Sequence, residues 1–379
     1  MKTRTFSLVL FAAAFGCGNK KSEPAQGSGS NDPGSGSAPA PVQRMSQLPQ
    51  QPLPAVELAE DAKRAEKVAL GNALFFDKRL SGSADLACYS CHLNEDGNGG
   101  HDPTAIGSGK KPQPRHSPVI WNIGLWKGAF YWDGRAKTLE DNVKGAWGGG
   151  NMGAGADTPE KTGPKLDAHA AKMAALPEYK KQFEAAFGKG PYKGAQVVSA
   201  IADYMRTMVC NDTAYDKFIA GDKAALSVEQ QRGFDLFGGK AACTLCHNPP
   251  AFSTAMMTEG GQFHNVGIGT QGVAEDKVDI GRMKVTNDPQ HWAAFKTPSL
   301  RNVTKSAPYF HNGSVATLEE AVKLMSSGGI PNKNKAALLE DRKLTDAERA
   351  DLVAFLGGLE CGGKLTPPAA AGKPAKPKK

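Results

Sequence analysis

Cys88-Tyr89-Ser90-Cys91-His92 returns further down the chain as Cys243-Thr244-Leu245-Cys246-His247. Two cysteines separated by two residues and followed at once by histidine form the attachment signature of c-type haem. The chemistry explains the spacing. Both thiols add across the haem vinyl groups, so they must leave one helical turn on the same side. The adjacent histidine then falls under the iron as its proximal ligand. The plainer reading is zinc, but the two cysteine pairs of a zinc ribbon sit roughly 15–20 residues apart. Here the second pair lies far beyond that distance, and each pair carries its own histidine. A thioredoxin-like redox pair would not need the histidines and belongs in a βαβ pattern, which the chain lacks. Two covalently bound haems are the expectation.

The 379 residues leave room for two domains and short extras. With 44 glycines and 25 prolines, the chain reads as loop-rich, with a cofactor filling much of the interior. The start is a targeting segment rather than structure. Lys2 and Arg4 precede an apolar run at 6–15, and Ala14-Phe15-Gly16-Cys17 resembles a bacterial lipobox with Cys17 as the lipidated residue. The run is far short of the ~20 residues a membrane span needs. Residues 18–55, rich in Gly, Ser, Pro, Ala and Gln, read as a flexible tether. Residues 364–379 carry Lys364, Lys373, Lys376, Lys378 and Lys379 among prolines and alanines, and much of the net charge of +8 sits in this basic, disordered tail. Nothing resembles a nucleic-acid module. The expected location is the periplasm, with lipid anchoring to a bacterial membrane; Gly18 after Cys17 leans towards the outer one.

Of seven cysteines, one goes to lipid and four to haem, leaving Cys210 and Cys361. One leftover pair in an exported protein points to a disulfide, with two free buried thiols as the alternative. Each of the pair closes a helical pattern, Val197–Met208 in spacing for the first and Leu352–Leu359 for the second. The halves also repeat each other: Gly71-Asn72-Ala73-Leu74-Phe75 precedes the first haem motif and Gly233-Phe234-Asp235-Leu236-Phe237 the second. Ser227-x-x-Gln230 and Thr345-x-x-Glu348 are capping boxes. Strand signals are scarce. The reading is all-α: two cytochrome c-like haem domains in tandem, at 56–212 and 213–363, with long Gly/Pro loops.

A c-type haem that only carries electrons takes a sixth ligand, whereas one that does chemistry keeps an open site. For the second haem the candidates are Met256, Met257, Met283 and Met325; for the first they are His101, His116, Met152, His169 and Met173. Met325 stands ahead of the final helix, where a cytochrome c presents its methionine. Met152 follows a run of glycines that would let its loop reach an iron, unless those glycines only let the chain turn.

Five segments occur together in order: Gly71-x-x-Leu-Phe-Phe-Asp-x-Arg-Leu-Ser, the first haem motif, Tyr131-Trp132-Asp133-Gly134-Arg135-Ala136, Lys296-Thr297-Pro298-Ser299-Leu300-Arg301-Asn302-Val303, and Ala307-Pro308-Tyr309-Phe310-His311-Asn312-Gly313-Ser314. From about residue 58 to 360 the chain resembles the bacterial dihaem cytochrome c peroxidases and their MauG-type relatives. The resemblance implies peroxide reduction at the first haem, on His92, with electrons relayed through the second, on His247. It implies Met325 as the second haem's methionine and Trp132 as an electron path between the haems. It also implies a calcium ion between the domains, bound partly by the carbonyls of Ser306 and Pro308. Hydrogen peroxide, a small periplasmic cytochrome c or copper protein as donor, and a second copy of the chain are the implied partners.

Three departures qualify the resemblance. Asn151 stands where the family carries its distal acid–base glutamate, and asparagine cannot carry a proton. Thr104-Ala105-Ile106-Gly107-Ser108 places serine where the peroxidases cap the first iron with histidine. His116 takes the place of a calcium-binding asparagine. The sequence therefore reads as a peroxidase-like oxidoreductase with an uncapped first haem. The alternative is a non-catalytic dihaem electron carrier with Met152 on the first iron, followed by a gas or redox sensor using an open iron.

Overall fold

The computed structural model describes residues 44–368. The signal segment 1–17 with its lipidation residue Cys17, most of the tether and residues 369–379 lie outside the described residues.

Among the described residues the architecture is helical. The helices are α1 Arg64–Phe75, α2 Leu139–Gly148, α3 Pro159–Ala174, α4 Pro177–Phe187, α5 Gly194–Arg206, α6 Ala214–Ile219, α7 Val228–Gly238, α8 Thr254–Met257, α9 Met283–Thr286, α10 Leu318–Ser326 and α11 Asp346–Gly357. Strands are limited to two antiparallel pairs of two-residue segments. β1 Ile106–Gly107 pairs with β2 Lys111–Pro112. β3 Phe263–His264 pairs with β4 Phe295–Lys296, setting Phe263 opposite Lys296 and His264 opposite Phe295. Both haem motifs sit on single 3₁₀ turns, Cys88–Ser90 and Cys243–Leu245.

The sequence repeat has a steric meaning. A Cβ on Gly71 of α1 would lie 1.9 Å from the carbonyl oxygen of Ala200 in α5. A Cβ on Gly233 of α7 would lie 2.0 Å from the carbonyl oxygen of Asp351 in α11. Each glycine thus lets two helices cross backbone against backbone. The residues that follow, Leu74 and Phe75 in one half and Phe237 in the other, are buried beneath the crossing. The α1–α5 crossing tops an apolar core that runs from Leu70 to Cys210 and takes in Cys361 and Leu365; the α7–α11 crossing tops a second one built on Tyr215, Phe234, Phe237, Phe252 and Phe355. The expected capping boxes are formed: Ser227 Oγ accepts from the Gln230 amide at 3.2 Å and Thr345 Oγ1 from the Glu348 amide at 3.2 Å.

Cys210 and Cys361 are joined by a disulfide, with Cα atoms 5.5 Å apart. Arg301, one of the largest fully buried side chains, clamps the same region. Its guanidinium binds both oxygens of Asp216 at 2.7 and 2.8 Å and donates to the carbonyls of Pro250 and Cys210.

Two boundaries differ from the expectation. Residues 44–55, read as the end of the tether, are docked: the Ser46 amide donates to Asp235 at 2.8 Å, Met45 packs on the second core, and Leu53 joins Leu125 and Met256. The tail likewise begins inside the fold. Leu365 is buried in the first core and exchanges two hydrogen bonds with the side chain of Asn94, at 2.8 and 2.9 Å. In both places isolated apolar residues inside polar stretches find a surface to bury, and composition averages such residues away.

Candidate functional site

The proximal histidines are built alike. His92 Nδ1 lies 3.1 Å from the carbonyl oxygen of Asn98, and His247 Nδ1 lies 3.0 Å from that of Phe252. A carbonyl can only accept, so each Nδ1 carries the proton and each Nε2 keeps its lone pair for a metal. Burial pushes both imidazoles down to about 4, so both are neutral at neutral pH. Asn98 is buried with φ +63° and is itself held by Trp121, whose indole N–H donates to its Oδ1 at 2.7 Å. The four motif cysteines are unbridged. Burial, with the neighbouring cysteine adding, pushes the Cys88 and Cys243 thiols up to about 12.

Cys88, Cys91 and His92 open on a cavity of about 1110 Å³. Its walls come from distant parts of the chain: Trp147 and Ile201 from the first core, Trp132 and Trp126 from the connecting loops, and Lys296, Tyr309 and Phe310 from beyond the second motif. Five cations line it, namely Arg115, Arg135, Lys277, Lys284 and Lys296, against the carboxylates Asp133 and Asp279. Both carboxylates are held by Arg115, which reaches Asp133 at 2.7 Å and Asp279 at 2.7 and 2.8 Å. A haem brings two propionates, and the surplus of positive charge suits them. At the second motif, His264 has a buried Nε2 without a hydrogen-bond partner, and a charge on it is felt at His247. A buried polar atom left open costs free energy, so that orphan also fits a missing polar group. The residues at both motifs therefore fit haem c.

Asn151 and Met152 reach the cavity on the loop after α2, as does Asn142 from α2 itself. This loop is pinned rather than loose. The Met152 amide donates to the carbonyl of Ala146 at 3.0 Å, and its own carbonyl accepts from Gly82 at 2.7 Å. Gln113 donates to the carbonyl of Gly150 at 3.1 Å, and the Ser108 amide donates to that of Asn151 at 2.9 Å. Ser108 is tied in turn to Asp85, its hydroxyl donating at 2.6 Å. The serine hydroxyl and the Gly109 amide hold the Asp85 carboxyl below the usual carboxylate range.

The sequence candidates separate. His116 and Met152 line the cavity; His101 is exposed beside Asp96, His169 bonds the carbonyl of Arg79 at 3.0 Å, and Met173 is buried in the first core. Met256 lines the same cavity, and Met325 is half-buried in α10, one turn beyond Ala321. Trp132 lies on the wall. Its indole donates to the carbonyl of His116 at 2.9 Å, and its carbonyl accepts from the Lys296 amide at 2.8 Å. Ser306 and Pro308 also line the cavity. Calcium takes six to eight oxygen ligands. His116 offers nitrogen, already committed at Nδ1 to the carbonyl of Asp102 at 2.8 Å, and among the described residues no group of three or more His, Cys, Asp or Glu could hold a metal ion.

Sequence reasoning missed Arg115, Gln113 and Trp126. They lie in loops without periodicity, and only the fold brings them to the cavity. Lys296 was legible only as part of a motif, without a role.

The model of the family described as di-haem cytochrome c peroxidase matches residues 65–224. The methylamine utilization protein MauG of Methylorubrum extorquens is 36% identical over 299 residues, covering 78% of this chain and 78% of that protein. Cytochrome-c peroxidase IdrP1 of Denitromonas iodatirespirans is 35% identical over 336 residues, covering 81% and 85%. A MauG-like protein associated with microbial copper homeostasis has a solved structure that superposes with a TM-score of 0.71 at 31% identity, covering 85% of this chain and 95% of that one. The diheme peroxidase BthA of Burkholderia thailandensis, at 20% identity and a TM-score of 0.62, shares the fold. The chain belongs to the di-haem cytochrome c peroxidase family.

Proposed function

We propose that this chain is a dihaem cytochrome that reduces hydrogen peroxide, or oxidises another substrate in the MauG manner, at the motif of His92, with electrons relayed through the motif of His247. The observation that carries the reading is one large cavity lined by Cys88, Cys91 and His92 together with Asn151 and Trp132. Bound haem supplies the iron at which the O–O bond is reduced. The neutral imidazole of His92, oriented by the Asn98 carbonyl, would hold that iron through its free Nε2. Asn151 offers a hydrogen bond to a ligand but carries no proton. Trp132, held at both its indole N–H and its carbonyl, would be the electron path, and Met325 would supply the second haem's further ligand. The two cores are the two cytochrome c-like domains, tied by Cys210–Cys361. Lipid on Cys17 anchors the chain in the periplasm, where a small cytochrome or copper protein serves as donor and a homodimer is the assembly. No described helix is long and apolar enough to cross a membrane.

The alternative is a pure electron carrier, and one observation favours it. Both carboxylates on the cavity wall are locked to Arg115, so among the described residues that line the cavity no free acid stands in for the glutamate. The spectrum of the oxidised protein separates the two readings. A high-spin band supports the open enzyme site, and two low-spin methionine-ligated haems refute it.

A further inference from the structure

We propose that Trp126 is a second redox-active tryptophan of the first cavity: it gives an electron to the site on His92, is refilled from the side of the second motif, and is held reduced by Lys296. The proposal rests on the dihaem reading above.

The indole of Trp126 lines the same cavity as Cys88, Cys91 and His92. It also packs on a small separate cluster containing Ala251 and Met256. Ala251 immediately precedes Phe252, whose carbonyl holds the Nδ1 proton of His247, and Met256 follows four residues on. The backbone closes the same gap, with the Lys127 amide donating to the carbonyl of Met256 at 3.2 Å. Trp126 thus lines the cavity of the first motif and packs on a cluster drawn from the segment that carries the second proximal histidine's partner. Trp132 makes different contacts, to the carbonyl of His116 and edge-on to His311 at 6.5 Å.

Lys296 connects the two indoles. Its amide is bonded to the Trp132 carbonyl, and its ammonium stands 3.4 Å from the centre of the Trp126 ring. Among the described residues no carboxylate pairs with it, since Asp133 and Asp279 are taken by Arg115. A cation over an indole face favours the neutral ring over its oxidised form, the more so out of water. With Lys296 charged, an oxidising equivalent passes through Trp126 without settling there. Burial pushes the Lys296 amine down to about 7, in keeping with a charge held at a cost.

The electrons balance. Reducing hydrogen peroxide to two waters takes two electrons and two protons. In the step assigned to Trp126 one electron leaves the indole for the first site and one returns from the second. The ring keeps its N–H and ends unchanged, while the protons come from solvent.

The test uses the full haem-loaded chain. Wild type, Trp126→Phe, Trp132→Phe, Lys296→Met and Lys296→Arg are first assayed for two haems per chain. Each is then mixed rapidly with hydrogen peroxide, and with peracetic acid, whose carboxylate leaves without needing a proton. Freeze-quenched samples are read by electron paramagnetic resonance, with deuterated tryptophan marking the radical. Lys296→Met should raise the tryptophanyl signal roughly tenfold, Lys296→Arg should leave it low, and Trp126→Phe in the Lys296→Met background should abolish the gain. Trp126→Phe alone should slow oxidation of the second haem roughly tenfold or more. A chain with both haems that consumes the oxidant, yet gives the same signal and rate with and without Trp126, overturns the relay and leaves the dihaem reading standing. A chain without haem, or inert to both oxidants, overturns both.

Discussion

Gly233→Ala in α7 should destabilise the protein by about 2–3 kcal/mol, although alanine is the better helix former. The added Cβ would lie 2.0 Å from the Asp351 carbonyl oxygen and 2.7 Å from Phe355 Cβ, both across the helix crossing. Neither is the free end of a side chain, so α7 and α11 must part by about 1 Å. A gap of that order forfeits a quarter to a half of each dispersion contact it opens. The layer beneath is aromatic, with Phe234 stacked on Phe355 at 5.0 Å and Phe237 and Tyr215 edge-on to the same ring. Overpacking of this kind costs about 1–3 kcal/mol or more; the propensity gain of about 1 kcal/mol offsets part of the upper end. Gly357→Ala in the same helix pair is the control. The nearest atom to its new Cβ is Gln230 Nε2 at 3.9 Å, so only the propensity gain remains. Thermal unfolding of the haem-loaded variants should place Gly233→Ala on the order of 5 °C below wild type, and Gly357→Ala at or above it. Equal melting temperatures for the two variants would refute the view that the repeated glycines serve helix crossing.

Asn151→Glu restores an acid–base group on the cavity wall and should raise peroxide turnover by about 10²–10⁴-fold; steady-state assay with reduced cytochrome c checks it, and no change would mean that the distal face is misassigned. Replacing both Cys210 and Cys361 by alanine should cost roughly 4–5 kcal/mol, since the bridge closes a separation of 151 residues; denaturant titration reads the loss. For Asp216, burial pulls the carboxyl up most strongly, but the hydrogen bonds and charge of Arg301 together with the hydrogen bonds from Thr213 outweigh it, and the net shift is down. A folded-state value below the unfolded 3.8 means that this stabilisation is present above pH ~3.8 and is lost as the pH falls below it. Asp216→Asn should therefore lower stability at neutral pH and flatten the acid limb of the stability–pH curve.

What could be read from sequence alone was whatever chemistry demands locally. A thioether pair and its histidine need five consecutive residues, so the two motifs declared themselves. Capping at Ser227 and Thr345 needs four, and those boxes formed. The Gly71 and Gly233 repeat marked equivalent helices in the two halves, though not the crossing that explains it. Tertiary structure decided everything that depends on distant segments meeting. Arg115 claims both wall carboxylates, Gln113 and Ser108 pin the distal loop, and Lys296 settles over Trp126 because loops far apart in the chain close around one space. Such contacts leave no periodic trace, and Met45 and Leu365 dock for the same reason, each a single apolar side chain whose burial depends on a surface assembled elsewhere.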